Sequence, residues 1–138
     1  MDKAKLDAGE FYIKAILEKL IKIKDEDELM EAGKQLENFL LLAGDEMVYL
    51  FAIHSWALVE SFIRIDGGSM RLISSVFAVN WTTLFRHSPY PMSVACVEIL
   101  ENSDFEEKTH FAWFTKPVSD FLRRNIIDIA KEQLSKKR

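Results

Sequence analysis

Five carboxylates, Glu98, Glu101, Asp104, Glu106 and Glu107, fall within ten residues of this chain. No basic residue falls among them, so they can project an unpaired negative field toward a cationic surface. The competing reading is a solvated junction between two helices, and on residue types alone that reading is the stronger. Asp25 to Glu28 is similarly acidic, but helix capping accounts for much of it. The other reactive side chains are scattered. His54 lies six residues before Glu60, so the two face different sides of a helix, and a satisfied core or boundary histidine is the reading we favour. His87 and His110 each sit near a helix end with no fixed carboxylate or second histidine close by. No HExxH or cysteine-rich spacing occurs, and Gly67-Gly68 lacks the GK[ST] of a phosphate loop. Cys96 stands among Val94, Ala95, Val97 and Ile99, surroundings that raise a thiol pKa and make it inert. Trp56 reads as core, whereas Trp81 and Trp113, near expected helix ends, are candidates for interface anchors. These residues imply no catalytic group, no metal and no cofactor.

The element that must organise the rest is Met47 to Ile63, MVYLFAIHSWALVESFI. Thirteen of its seventeen residues are apolar, and they run round every side of a helix. Such a helix is ordinarily buried on all sides. His54, Ser55, Glu60 and Ser61 interrupt it well short of the roughly 20 mainly apolar residues of a membrane span, so we expect a central core helix over 46–64 and no membrane partner. Around it, apolar residues at Phe11, Ile13, Ile16, Leu17, Leu20 and Ile23 mark an amphipathic helix. Asp25 with Glu28 offers a capping box for a second helix, which Gly44 ends. Gly33 inside that helix costs about 1 kcal/mol against alanine and suggests a close helix contact.

Further helices are expected after the Asp66-Gly67-Gly68 turn with Ser69 as cap, from Asn80 through Trp81 to Phe85, and from Pro91 to Leu100 with Val94, Val97 and Leu100 inward. Another begins at a Ser103/Glu106 capping box. The last follows Pro117 and turns Val118, Phe121, Leu122, Ile126, Ile129, Ala130 and Leu134 inward. No stretch alternates with period two. The expectation is one all-α domain over 1–138, with seven or eight short helices packed as stacked hairpins, and a HEAT-like arrangement is compatible with this. The echo of Trp56-Ala-Leu-Val59 in Trp81-Thr-Thr-Leu84 has no third copy, so repeats are not demonstrable.

Length, 138 residues, suits one domain. A single cysteine and no apolar leader favour a reducing cytoplasm. The net charge of −4 is uneven: residues 1–66 carry 8 basic and 14 acidic side chains, and residues 67–138 carry 10 and 8. Phosphate contacts need a basic face, so direct nucleic-acid binding is disfavoured and a basic protein partner is favoured.

Three stretches, HSWALVESF at 54–62, WTTL at 81–84 and CVEILENS at 96–103, together with the opening helix that leads into KDEDEL at 24–29, carry a family likeness. Their order resembles small all-helical immunity proteins of bacterial polymorphic-toxin and contact-dependent growth inhibition systems, over about residues 10–114. The resemblance implies an inhibitor rather than an enzyme. Such a protein binds the C-terminal toxic domain of a delivered effector, often a basic nuclease, and occludes its active site or substrate groove. Carboxylates would then stand in for phosphates. On that reading Glu98, Glu101, Asp104, Glu106 and Glu107 make the first contacts, with Asp66 and Trp81 behind them. Two other classes remain: a helical adaptor or scaffold that binds a cellular protein or peptide, and a small enzyme using His54 or His110. Oligomeric state is not legible.

Overall fold

A computed structural model describes residues 3–66 and 71–118, apart from the side chains of Asp66, Arg71 and Pro117. Among the described residues there are six α-helices and a short 3-10 turn, and no strand. They are α1 (Lys3–Leu20), α2 (Glu26–Ala43), α3 (Asp45–Asp66), α4 (Arg71–His87), α5 (Pro89–Glu101) and α6 (Phe105–Phe114), with the turn at Lys116–Val118. The fold is all-helical, as expected. The expected Gly67-Gly68 turn, the Ser69 cap and the helix beyond Val118 lie outside the described residues.

The expected helix count was too high in one place. Asn80 does not open a new helix but sits inside α4, which runs unbroken from Arg71 to His87. Its side chain finds a partner on another helix instead of competing for its own backbone: Asn80 Nδ2 donates to the carbonyl of Gly33 at 3.1 Å. Gly33 is the close contact between α2 and α4. A Cβ built there would stand 2.6 Å from Val76 Cγ1, nearer than real side chains tolerate. The glycine is therefore retained at its cost in helix propensity because the partner helix occupies the space a side chain would need.

α3 is the centre. All five other α-helices touch it, with α5 and α1 on either flank. Val48, Phe51, Ala52, Ser55, Trp56 and Val59 are buried, but Ala57, Ser61 and Ile65 are exposed, so the helix is not covered all round. Over Asp45–Ile65 its length and composition alone would allow a membrane crossing. The neighbouring helices bury 39% of that stretch here.

Periodicity located the other helices but misjudged some faces. On α1, Ile13, Leu17 and Leu20 are buried, whereas Phe11 is 78% exposed. On α5, Val94, Val97 and Leu100 are only half-buried; Pro91, Met92, Ala95, Cys96 and Ile99 form the inner face, rotated from the expected one. Here the helix starts two residues early, with Pro89 in its first turn, where proline's missing N–H costs nothing.

Candidate functional site

α6 is the element that assembles the acidic site, and an aromatic lock seats it. Phe111 packs edge-on against Trp56 of α3 at 5.0 Å between ring centroids. Phe114 packs edge-on against Trp81 of α4 at 5.1 Å, and also lies 5.7 Å from Trp56. Edge-to-face pairs at these spacings add stabilisation beyond the area they bury. Trp81 is wholly buried, and its indole N–H donates to Ser55 Oγ at 2.9 Å. Ser55 Oγ in turn donates to the carbonyl of Ala52 at 3.2 Å. The serine that interrupted the apolar run of α3 is thus the polar partner the buried tryptophan requires.

Trp81 is therefore not an interface residue, because its surface is spent on the core. Its position in the middle of α4, not at a helix end, is the reason. Trp56 is core as expected. Trp113 does reach the surface, at 57% exposed, beside Ser74, Ala78 and Lys116.

With α6 so fixed, a cleft of about 320 Å³ opens between α3, α5 and α6. Ile53, Trp56, Ala57 and Ile99 supply its apolar surface, while Glu60, Glu98 and Glu107 supply carboxylates from three different helices. Among the described residues Arg64 pairs with two of them. Arg64 Nη2 lies 2.9 Å from Glu107 Oε1 and 3.5 Å from Glu60 Oε1. Glu98 accepts a hydrogen bond from the Tyr49 hydroxyl. Burial, the Glu98 hydrogen bond and the Glu98 charge push the Tyr49 phenol up to about 12.

Glu60 is the strained member. Burial raises its carboxyl above the ordinary range, and the charges of Glu107 and Asp104 raise it further, against the opposing pull of Arg64 and His110. A half-buried carboxylate repelled by its neighbours is one that an added cation would relieve.

Of the carboxylates singled out in the sequence, the cleft gathers Glu98 and Glu107. Asp104 stands close enough to act on Glu60, and it caps α6 by accepting from the Glu107 backbone N–H at 2.8 Å. The capping box expected at Ser103 is not made, because Ser103 Oγ turns back to the Ile99 carbonyl. Likewise Asp25 occupies the N-cap position of α2 without a side-chain bond. Glu101 and Glu106 are exposed and do not line the cleft. Asp66 ends α3, and its side chain lies outside the described residues. Neither is the negative field unpaired, since Arg64 neutralises part of it. Glu60 and Arg64 were legible only as an i, i+4 pair; the available signal was a carboxylate inside an otherwise apolar helix.

The remaining reactive groups are dispersed. His54 faces α1, with Nε2 3.5 Å from Glu10 Oε1. Burial pulls its pKa below the ordinary histidine value, against the pull of Glu10. His110 Nδ1 is buried without a hydrogen-bond partner. Burial also drives the Cys96 thiol well up, which leaves it a poor nucleophile. Among the described residues no group of three or more His, Cys, Asp or Glu could hold a metal ion.

Comparison of the chain with protein families, with curated proteins and with solved structures finds no match.

Proposed function

We propose that this protein is an immunity protein: a cytoplasmic inhibitor that binds a cognate toxin domain, of the basic nuclease class, and occludes its active site or substrate groove. The carrying observation is the cleft itself. Three carboxylates from three helices line it beside Trp56: Glu60 and Glu107 share the Arg64 guanidinium, Glu98 is held by the Tyr49 hydroxyl, and Asp104 acts on Glu60. A lysine or arginine entering it gains Coulomb attraction, relieves Glu60 and finds an apolar surface for its aliphatic stem. Glu101 and Glu106, outside the cleft, extend the field that steers a basic partner toward it. The contacts of α1 with α3, of α3 with α5 and of α2 with α4 support the stacked-hairpin arrangement that would present such a surface.

The test is co-expression with the protein encoded immediately upstream, followed by affinity capture and salt titration. The reading expects a stoichiometric complex with a growth-inhibiting domain, weakened by salt and lost when Glu60, Glu98 and Glu107 are all changed to Gln. Capture that is indifferent to both salt and the triple substitution would refute the acidic cleft as the interface. Absence of any complex would remove the immunity reading and leave a helical adaptor.

A further inference from the structure

A second concave surface lies between α2 and α4, away from the carboxylate cleft. It is a groove of about 480 Å³, within the range of small-molecule sites. Met30, Leu72, Val76 and Val79 give it an apolar lining, and Gly33 brings the two helices together there. Met30 and Val79 are more than half exposed along it.

Glu26, Lys34 and Ser75 also line the groove, and two further polar residues, Asn80 and Glu37, each carry an acceptor without a donor. Asn80 is only 2% exposed, and its Nδ2 is committed to the Gly33 carbonyl. That bond fixes which end of the amide is free, and Asn80 Oδ1 is left buried without a hydrogen-bond partner in the protein. Glu37 is half-buried, but its Oε1 is covered and unpartnered, although Lys34 lines the same groove. A buried acceptor without a donor costs free energy, more so when it is a carboxylate oxygen. Neither oxygen can donate to the other.

We propose that this groove is a binding site for a small organic ammonium compound with an apolar body. An ammonium carries three donors and a positive charge, which answers both the amide oxygen and the carboxylate. Its hydrocarbon part matches Met30, Leu72, Val76 and Val79. A carboxylic acid of the same shape would place acceptor against acceptor. The site shares no residue with the acidic cleft, so this proposal and the immunity reading stand or fall separately.

The experiment is a titration of the whole protein, labelled at its methionine and valine methyls, with phenethylammonium and in parallel with 3-phenylpropionate. Saturable shifts confined to Met30, Val76 and Val79 are expected with the amine and not with the acid. Glu37→Gln should weaken amine binding about tenfold or more, the scale of a lost charged hydrogen bond. Val79→Trp, at an exposed position on the groove, should abolish it while leaving the melting temperature close to that of the parent. Equal response to amine and acid, no response to millimolar amine, or Glu37→Gln binding as tightly as the parent would each overturn the proposal.

Discussion

The two concave surfaces are built from the same material, helix against helix, and came out chemically opposite. The cleft on α3, α5 and α6 holds more like charge than its one arginine neutralises. The groove between α2 and α4 is apolar and has two oxygens without partners. The difference lies in what closes each helix pair. Large aromatic rings hold α6 in place and keep the acidic cleft open beside them. A glycine brings α2 and α4 close, so a single asparagine spans from one helix to the backbone of the other. One site depends on filled volume and the other on the absence of a side chain.

That contrast can be broken most forcefully at Trp81. Trp81→Ala should cost about 3–5 kcal/mol in urea unfolding, the usual scale for deleting a buried aromatic. It removes the seat of Phe114 and strands Ser55, so the acidic cleft should lose its geometry before the α2/α4 groove does. Methyl chemical shifts on the two surfaces would check that order.

Gly33→Ala attacks the other closure. Alanine gains about 1 kcal/mol of helix propensity, but its Cβ collides with the stiff, branched Val76. Overpacking of that kind costs about 1–3 kcal/mol, so the net expectation is a destabilisation of about 1 kcal/mol, read as a lower urea midpoint. A stabilised variant would mean that the helices separate easily.

Asp104→Ala removes the cap of α6 and should cost about 1 kcal/mol, while Asp104→Asn should be nearly neutral because the amide oxygen still accepts from the Glu107 N–H.

Smallest, and most telling for function, is Glu60→Gln. The folded pKa of Glu60 lies above its ordinary value of 4.5. The folded protein therefore holds that proton more tightly than the unfolded chain, and stability contributed at low pH is lost as pH rises through the folded pKa. The variant should match the parent below pH 4.5 and become the more stable of the two at neutral pH, as denaturation at several pH values would show. Gain of stability together with weaker capture of a basic partner would mark Glu60 as a residue kept for binding.

Much of this architecture is legible from residue spacing. The helix through Leu29, Met30, Leu36, Phe39 and Leu40, its Gly44 stop and the anomaly of Gly33 all follow from helical periodicity and local backbone chemistry, although Met30 and Phe39 turn out to be exposed. Asn80 misleads at that level, because a residue that prefers caps and turns looks like a helix start until its cross-helix partner is known. The candidate site is half-legible for a similar reason. Glu98 and Glu107 stand out as members of a local charge cluster, whereas Glu60 is 38 residues from Glu98 and joins it only through the packing of α3 on α5.

Composition and pattern alone determine that the described chain is helical and that Met47 to Ile63 is its axis. These are sums over local preferences and need no knowledge of neighbours. Tertiary structure decided which carboxylates share a cleft, that Trp81 is core and not contact, and that Asn80 and Glu37, which line a groove, each keep a buried acceptor without a protein partner. Each of those outcomes depends on distances between helices far apart in the chain, and helix phase alone does not encode them.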